Sequence, residues 1–194
     1  HVGIFPEQAL NWDFIYKTIK NIGTPQPKVL NLFAYTGGAS LAAKAAGADI
    51  THVDSIKQVI NWSRENMESS NLSDIRWVVE DALKFVKREV KRGKKYNGII
   101  LDPPAYGIGA NGERWKLEDS INEILADISH LLDEQHFLVL NVYSLGLSPL
   151  ILENLIKTNF KNPQNLDLGE VYLNAKSGIK LPLGILARFN NINP

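Results

Sequence analysis

Short apolar runs alternate with helix-patterned segments along almost the whole chain, and this alternation restricts the fold more than any other feature. Residues 28–33 (KVLNLF), 49–53, 75–79, 96–101 (YNGIIL) and 137–142 (FLVLNV) read as strands. Between them, residues 38–46, 55–69, 82–92, 117–132 and 149–159 read as helices. Strands that are each followed by a helix form βα units on a parallel sheet. An opening helix is expected over 7–22, with Leu10, Phe14, Ile15 and Ile19 on one face. The segment Gly23-Thr24-Pro25-Gln26-Pro27 ends it. The tail changes character: residues 167–173 and 183–189 read as an antiparallel hairpin at the sheet edge. The expected class is α/β, Rossmann-like and doubly wound, with a mostly parallel sheet and an antiparallel edge strand.

Composition narrows the chemistry. The 194 residues suit one domain, and 44% hydrophobic with 22% charged residues is an ordinary globular balance. Lys plus Arg (21) equals Asp plus Glu (21), so the basic excess usual in a nucleic-acid-binding domain is absent, although a small basic patch can still hold RNA. With no cysteine, disulfides, thiolate zinc sites and a cysteine nucleophile are excluded. That fits a reducing compartment, and a cytoplasmic location is expected. No apolar stretch is long enough to span a bilayer, so no membrane role is expected. His1, His52, His130 and His136 lack metal-ligand spacing, so they read as structural and no metal is expected. The start, His1-Val2-Gly3-Ile4-Phe5-Pro6, has neither Met nor a leader pattern, so residues 1–194 are expected to be one domain of a longer protein.

In a doubly wound sheet, ligands bind beyond the carboxyl ends of the strands. After the first strand comes Ala34-Tyr35-Thr36-Gly37-Gly38. Its glycines allow close approach of a ligand, and the following helix offers unpaired N–H groups to an anion. A plain strand-to-helix turn explains the segment equally well. It is not GxGxxG, which weakens a nucleotide-dependent oxidoreductase reading. After the second strand, Asp54 can accept from ribose hydroxyls or cap the next helix, with Ser55 competing for the cap. After the third, Asp81 can accept from an adenine amine, but capping is favoured for it alone.

The sharpest signal follows the fourth strand: Asp102-Pro103-Pro104-Ala105-Tyr106. Two prolines stiffen the loop, and Pro103 holds Asp102 extended. An acceptor carboxylate beside free carbonyls can orient a substrate amine. The Gly-rich stretch 107–116 comes next, with Arg114, Trp115 and Lys116 offering charge and a stacking face; Trp115 packed on the domain is an equal alternative.

Together these motifs resemble class I S-adenosylmethionine (SAM)-dependent methyltransferases. Phe5-Pro6-Glu7-Gln8, the run Asn31-Leu32-Phe33-Ala34-Tyr35-Thr36-Gly37-Gly38, Leu101-Asp102-Pro103-Pro104-Ala105-Tyr106 and the late Leu181-Pro182-Leu183-Gly184 with Ala187-Arg188-Phe189 are similar to the RlmI-like ribosomal RNA large-subunit methyltransferase group. The resemblance implies a seven-stranded sheet with its last strand antiparallel, SAM as cofactor and S-adenosylhomocysteine (SAH) as product. It implies that Phe5 and Gln8 close over the cofactor, while Ala34, Tyr35, Thr36 and Gly37 line its methionine end. Asp54, with Ser55, would bind the ribose, and Asp81 and Ala82 would flank the adenine. Asp102, Pro103, Pro104 and Tyr106 would form the catalytic loop, with Arg114, Trp115, Lys116 and Ser144 on the side of an RNA substrate. Two departures matter. The C5-cytosine enzymes of the group carry a cysteine after the fifth strand, where this chain has Asn141-Val142-Tyr143-Ser144; transfer without a covalent nucleophile is therefore expected. The N-methyltransferase pattern has an aromatic directly after the prolines, where this chain has Ala105 and then Tyr106. A non-catalytic SAM- or RNA-binding module of the same fold stays open as the alternative. The sequence indicates no oligomeric state.

Overall fold

Helices cover both faces of a central sheet, so the middle strands are apolar on both sides: all of Tyr96–Leu101 is buried. The computed structural model describes residues 2–109, 112–144 and 146–192; His1 and the Ala110-Asn111 pair of the expected Gly-rich loop lie outside the described residues. A 3-10 turn (Pro6–Gln8) and α1 (Ala9–Asn21) lead into β1 (Lys28–Leu32) and α2 (Gly38–Ala45). Then come β2 (Asp49–Asp54), α3 (Lys57–Ser69), β3 (Ile75–Val79), α4 (Ala82–Lys91) and β4 (Tyr96–Leu101). A short hairpin, β5 (Tyr106–Ile108) with β6 (Arg114–Lys116), precedes α5 (Leu117–Ser129). The chain ends with β7 (Leu132–Val142), α6 (Pro149–Asn159), β8 (Asp167–Asn174) and β9 (Lys180–Asn191).

The seven-stranded sheet has the order β3-β2-β1-β4-β7-β9-β8. Strands β1 to β4 and β7 pair in parallel, while β9 runs antiparallel to both β7 and β8. The final hairpin thus forms the edge expected from the tail. Period-two alternation divides the core. On one face Leu30, Ile99, Leu138 and Leu140 pack with Phe85 of α4, Ile121 and Leu125 of α5, and Ile156 of α6. On the other, Val29, Ile100 and Val139 pack with Ile15 and Ile19 of α1 and Ala43 of α2. The chain winds outward from β1 through β3, then returns to place β4 beside β1. The strand ends splay there, opening a crevice.

Several local expectations change. In α1, Leu10 is 61% exposed and Asn11 is buried, because Asn11 turns inward to donate to Gln8 Oε1 at 2.8 Å. Ser55 does not cap α3: Asp54 Oδ1 takes the Ile56 N–H at 2.9 Å, and the helix starts at Lys57. Asp81 does cap α4, accepting from Lys84 N at 2.9 Å. The expected loop after β4 contains the β5–β6 hairpin, paired from Tyr106↔Lys116 to Ile108↔Arg114. Strand β7 begins at Leu132, earlier than the apolar run, because its first residues include the polar stretch Asp133, Glu134, Gln135 and His136.

Gly98 lies in register with Phe137 across β4 and β7, and a Cβ at Gly98 would overlap the fully buried Phe137 ring. Gly98→Ala therefore overpacks the sheet centre, and a loss of about 1–3 kcal/mol is expected. Urea denaturation reads this as a lowered midpoint; an unchanged midpoint would contradict the packing described.

Candidate functional site

The β1–α2 loop is built from conformations that side chains rarely adopt. Phe33 and Tyr35 hold φ of 54° and 46°, and Gly37 holds 92°. Left-handed backbone at two aromatic residues is unfavourable and persists only where neighbours enforce it. Tyr35 N donates to Asp54 Oδ2 at 3.0 Å, and Ser63 Oγ donates to Tyr35 O at 2.6 Å. Asn66 Nδ2 donates to Thr36 O at 2.9 Å. From the N-terminal segment, Gly3 N donates to the Tyr35 hydroxyl at 3.2 Å, and Gly3 O accepts from Thr36 Oγ1 at 2.5 Å. Gly38 is required because a Cβ there would stand 2.7 Å from the Trp12 indole.

Two adjacent hollows occupy the crevice. The larger, about 690 Å³, is walled by Phe33, Val53, Ile56 and Ala82, with Asp54, Ser55 and Asp81 on its polar side and Pro103, Pro104 and Tyr106 at its rim. The smaller, about 60 Å³, lies under the Gly37-Gly38 turn and is lined by Gln8, Asn11, Asn31, Thr36 and Asn141. Phe5, Phe33, Tyr35 and Asp102 border both.

Two carboxyl groups have contrasting surroundings. Burial pushes Asp54 above the usual carboxylate range, opposed by backbone N–H bonds from Ile56, Tyr35 and Ser55. Its oxygens are thus anchored, and with three lone-pair directions met by backbone donors one acceptor direction is left over. Asp102 is pushed up to about 7, chiefly by burial. The Asn141 amide opposes the shift and the Glu7 charge adds to it. Asp102 Oδ1 is enclosed without a hydrogen-bond partner, and so are both polar atoms of Asn141, so the two side chains approach without bonding. Three orphaned polar atoms at one place are costly unless a ligand or water meets them. Next to them, the Tyr143 hydroxyl accepts from Gln8 Nε2 at 2.8 Å; burial and the Asp102 charge push its ionisation up.

The Asp-Pro-Pro loop is fastened from outside. Trp115 Nε1 donates to Pro104 O at 2.6 Å, the Trp115 ring packs on Phe33 with centroids 4.7 Å apart, and Leu117 N donates to Ala105 O. The expectation of free carbonyls is corrected here, and of the two equal readings of Trp115 the packed one is observed. The Pro104 carbonyl is occupied rather than free. Trp115, 5% exposed, is a prop beneath the loop rather than a face open to a base, because its position on β6 alternates inward.

The structure brings together Phe5, Gln8, Ala34, Tyr35, Thr36, Gly37, Asp54, Ser55, Asp81, Ala82, Asp102, Pro103, Pro104 and Tyr106. Arg114, Lys116 and Ser144 line neither hollow. Arg114 is exposed on β6, Lys116 pairs with Asp119 at 3.1 Å, and Ser144 Oγ donates to Glu118 at 2.6 Å. In the sequence Asn141 and Tyr143 mark only the place of the absent cysteine; the further signal is an amide inside the apolar run FLVLNV. His52 is buried within an Asn31–Ser40–His52 chain and held neutral, its pKa lowered to about 3 by burial. Among the described residues no three His, Cys, Asp or Glu side chains are grouped to hold a metal ion.

A family model described as Conserved hypothetical protein 95 matches residues 13–163. The chain is 35% identical over 108 residues to ribosomal RNA large subunit methyltransferase K/L of Shewanella frigidimarina, covering 54% of this chain and 15% of that protein. It is 33% identical over 82 residues to ribosomal RNA large subunit methyltransferase I of Klebsiella pneumoniae, covering 41% and 20%. The crystal structure of a SAM-dependent methyltransferase from Agrobacterium tumefaciens superposes with a TM-score of 0.91 at 36% identity, over 98% of this chain and 64% of that one. The chain thus spans a quarter or less of the length of these two curated relatives.

Because the folded Asp102 titrates well above an unfolded aspartate, its burial favours folding less as pH rises. Below about pH 4 both states are protonated and nothing is lost; between about 4 and 7 the unfolded state ionises first and stability falls. Asp102→Asn removes this dependence. Urea titrations should show the variant gaining on the parent by about 2–4 kcal/mol from pH 4 to pH 8. A pH-independent difference would contradict the assignment.

Proposed function

The chain belongs to the Conserved hypothetical protein 95 family, and from that premise we propose that it is a SAM-dependent methyltransferase domain that methylates RNA directly, without a cysteine nucleophile. The observation that carries this reading is the meeting, in one crevice at the sheet's switch point, of an anchored carboxylate suited to a ribose and an orphaned carboxyl suited to an acceptor. The structural relative at 36% identity is described as SAM-dependent, and the sequence relatives as ribosomal RNA methyltransferases. Those names support a ribosomal RNA substrate. Their greater length supports residues 1–194 as the catalytic domain of a longer protein. Among the described residues no helix is long and apolar enough to cross a membrane.

The site fits such a cofactor. The large hollow offers apolar walls at Ile56 and Ala82 for a purine, Asp81 at its edge, and the remaining acceptor direction of Asp54 for a ribose hydroxyl. The small hollow under the Gly37-Gly38 turn offers a zwitterionic amino-acid group the unpaired donor and acceptor of Asn141, with the start of α2 beside them. When bound, SAM supplies an electrophilic methyl group.

The rest is the work of the chain's own residues. The Asp102 carboxyl, which borders both hollows, accepts a hydrogen bond from the acceptor's N–H and fixes its direction. With a pKa of about 7, the same carboxyl takes up the proton that an amino group sheds after methylation. Pro103, Pro104 and the Trp115 prop keep that carboxyl from turning away. Tyr106, 59% exposed at the rim, presents a face on which an unstacked base can rest.

Incubation with tritiated SAM and total RNA should label RNA, and Asp102→Asn should lower the rate about 100-fold or more. No label with the parent chain would favour the non-catalytic binding module, and an unchanged rate in the variant would remove Asp102 from the reaction.

A further inference from the structure

We propose that the outer part of the β8–β9 hairpin, residues 171–184, is an arm that binds single-stranded RNA beside the mouth of the crevice; the inference rests on the RNA methyltransferase reading and adds a surface outside its site. Pairing between β7 and β9 ends at Val142↔Ile185, yet β8 and β9 stay paired out to Asn174↔Lys180. Both strands change course where β7 stops. The β8–β9 register shifts between Glu170 and Tyr172, and Gly184 adopts φ +119°. A Cβ at Gly184 would come within 2.8 Å of Val142 O and 3.0 Å of the Tyr143 ring. The root of the arm is therefore packed against Tyr143, which lines the large hollow. A bulge at such a place re-aims a hairpin relative to its sheet. The tip is closed by bonds from Ala175 N to Ile179 O and from Gly178 N to Ala175 O, both 2.9 Å.

The arm's chemistry is that of a nucleic-acid surface. Residues 171–184 contain Lys176 and Lys180 and no acidic residue, in a chain whose total charges balance. Tyr172 is 40% exposed, and Lys180 Nζ stands 4.1 Å from its ring centroid. Tyr172 opposes Pro182 and Asn174 opposes Lys180, so the aromatic ring, the amide and the cation share one face. Alternation along β8 puts Tyr172 on the side of Leu168, which packs on the core face that also holds Phe85, Ile121 and Ile156. A ring with an adjacent ammonium suits a stacked base and its phosphate. A second copy of the chain fits less well, since a two-fold contact would set like cations against each other.

The test uses the whole chain, a fluorescein-labelled mixed-sequence RNA of about 20 nucleotides, and anisotropy at about 50 and 200 mM salt. Tyr172→Ala/Lys176→Ala/Lys180→Ala should weaken RNA binding at least fivefold and flatten the salt slope by about 1.4, the share of two phosphate contacts. SAH affinity, measured in parallel, should not change. Equal RNA affinity in parent and variant would overturn the inference. So would an absence of RNA binding by a parent that binds SAH, which leaves the cofactor reading standing. Increased self-association with RNA affinity unchanged would assign the lysines to protection of the sheet edge and likewise overturn it. A parent that binds no SAH would instead strike the methyltransferase reading.

Discussion

The carboxylate of Asp54 ties the crevice together. One oxygen holds Tyr35 N and the other Ile56 N, so a single side chain joins the loop after β1 to the loop after β2. The left-handed Tyr35 would relax without it, and the floor between the two hollows would move. Because those bonds come from backbone N–H groups, they impose geometry on the chain while leaving acceptor capacity directed at a ligand. The same residue is thus a structural clamp and the polar contact most suited to a ribose.

Two aspartates at the ends of β2 and β4, the strands on either side of β1, are set apart by what surrounds them. Asp54 is met by three backbone donors, which oppose its burial. Asp102 is met by an amide that does not reach it and by the charge of Glu7, and it rises to about 7. An anchored acceptor and a poised, unpartnered carboxyl are different tools, and the fold makes both from one residue type. The stiffness of the second depends on Trp115, whose N–H and ring join the Asp-Pro-Pro loop to Phe33 and so to the first loop.

The sheet, its switch point and the strand-end residues were legible because period-two apolar runs followed by helices leave few topologies, and ligands collect at strand ends. What was not legible came from tertiary pairing. Leu10 and Asn11 exchange places because Gln8 and the crevice lie beside α1, a neighbour that helical spacing does not reveal. Trp115 was ambiguous until the short β5–β6 ladder turned it inward. The strain at Phe33 and Tyr35 has no sequence signature, since neither residue type favours a left-handed backbone. Asn141 and Tyr143 stand in the site because β7 lies next to β4, a neighbour relation fixed by the sheet order.

The central claim is that this crevice holds a ribose-bearing cofactor through Asp54. Isothermal titration of SAH into the chain and into Asp54→Ala tests it most directly. Micromolar-range binding to the parent and a loss of about 100-fold or more in the variant are expected, because a charged acceptor of ribose hydroxyls is removed. No binding by the parent, or equal binding by both, would contradict it.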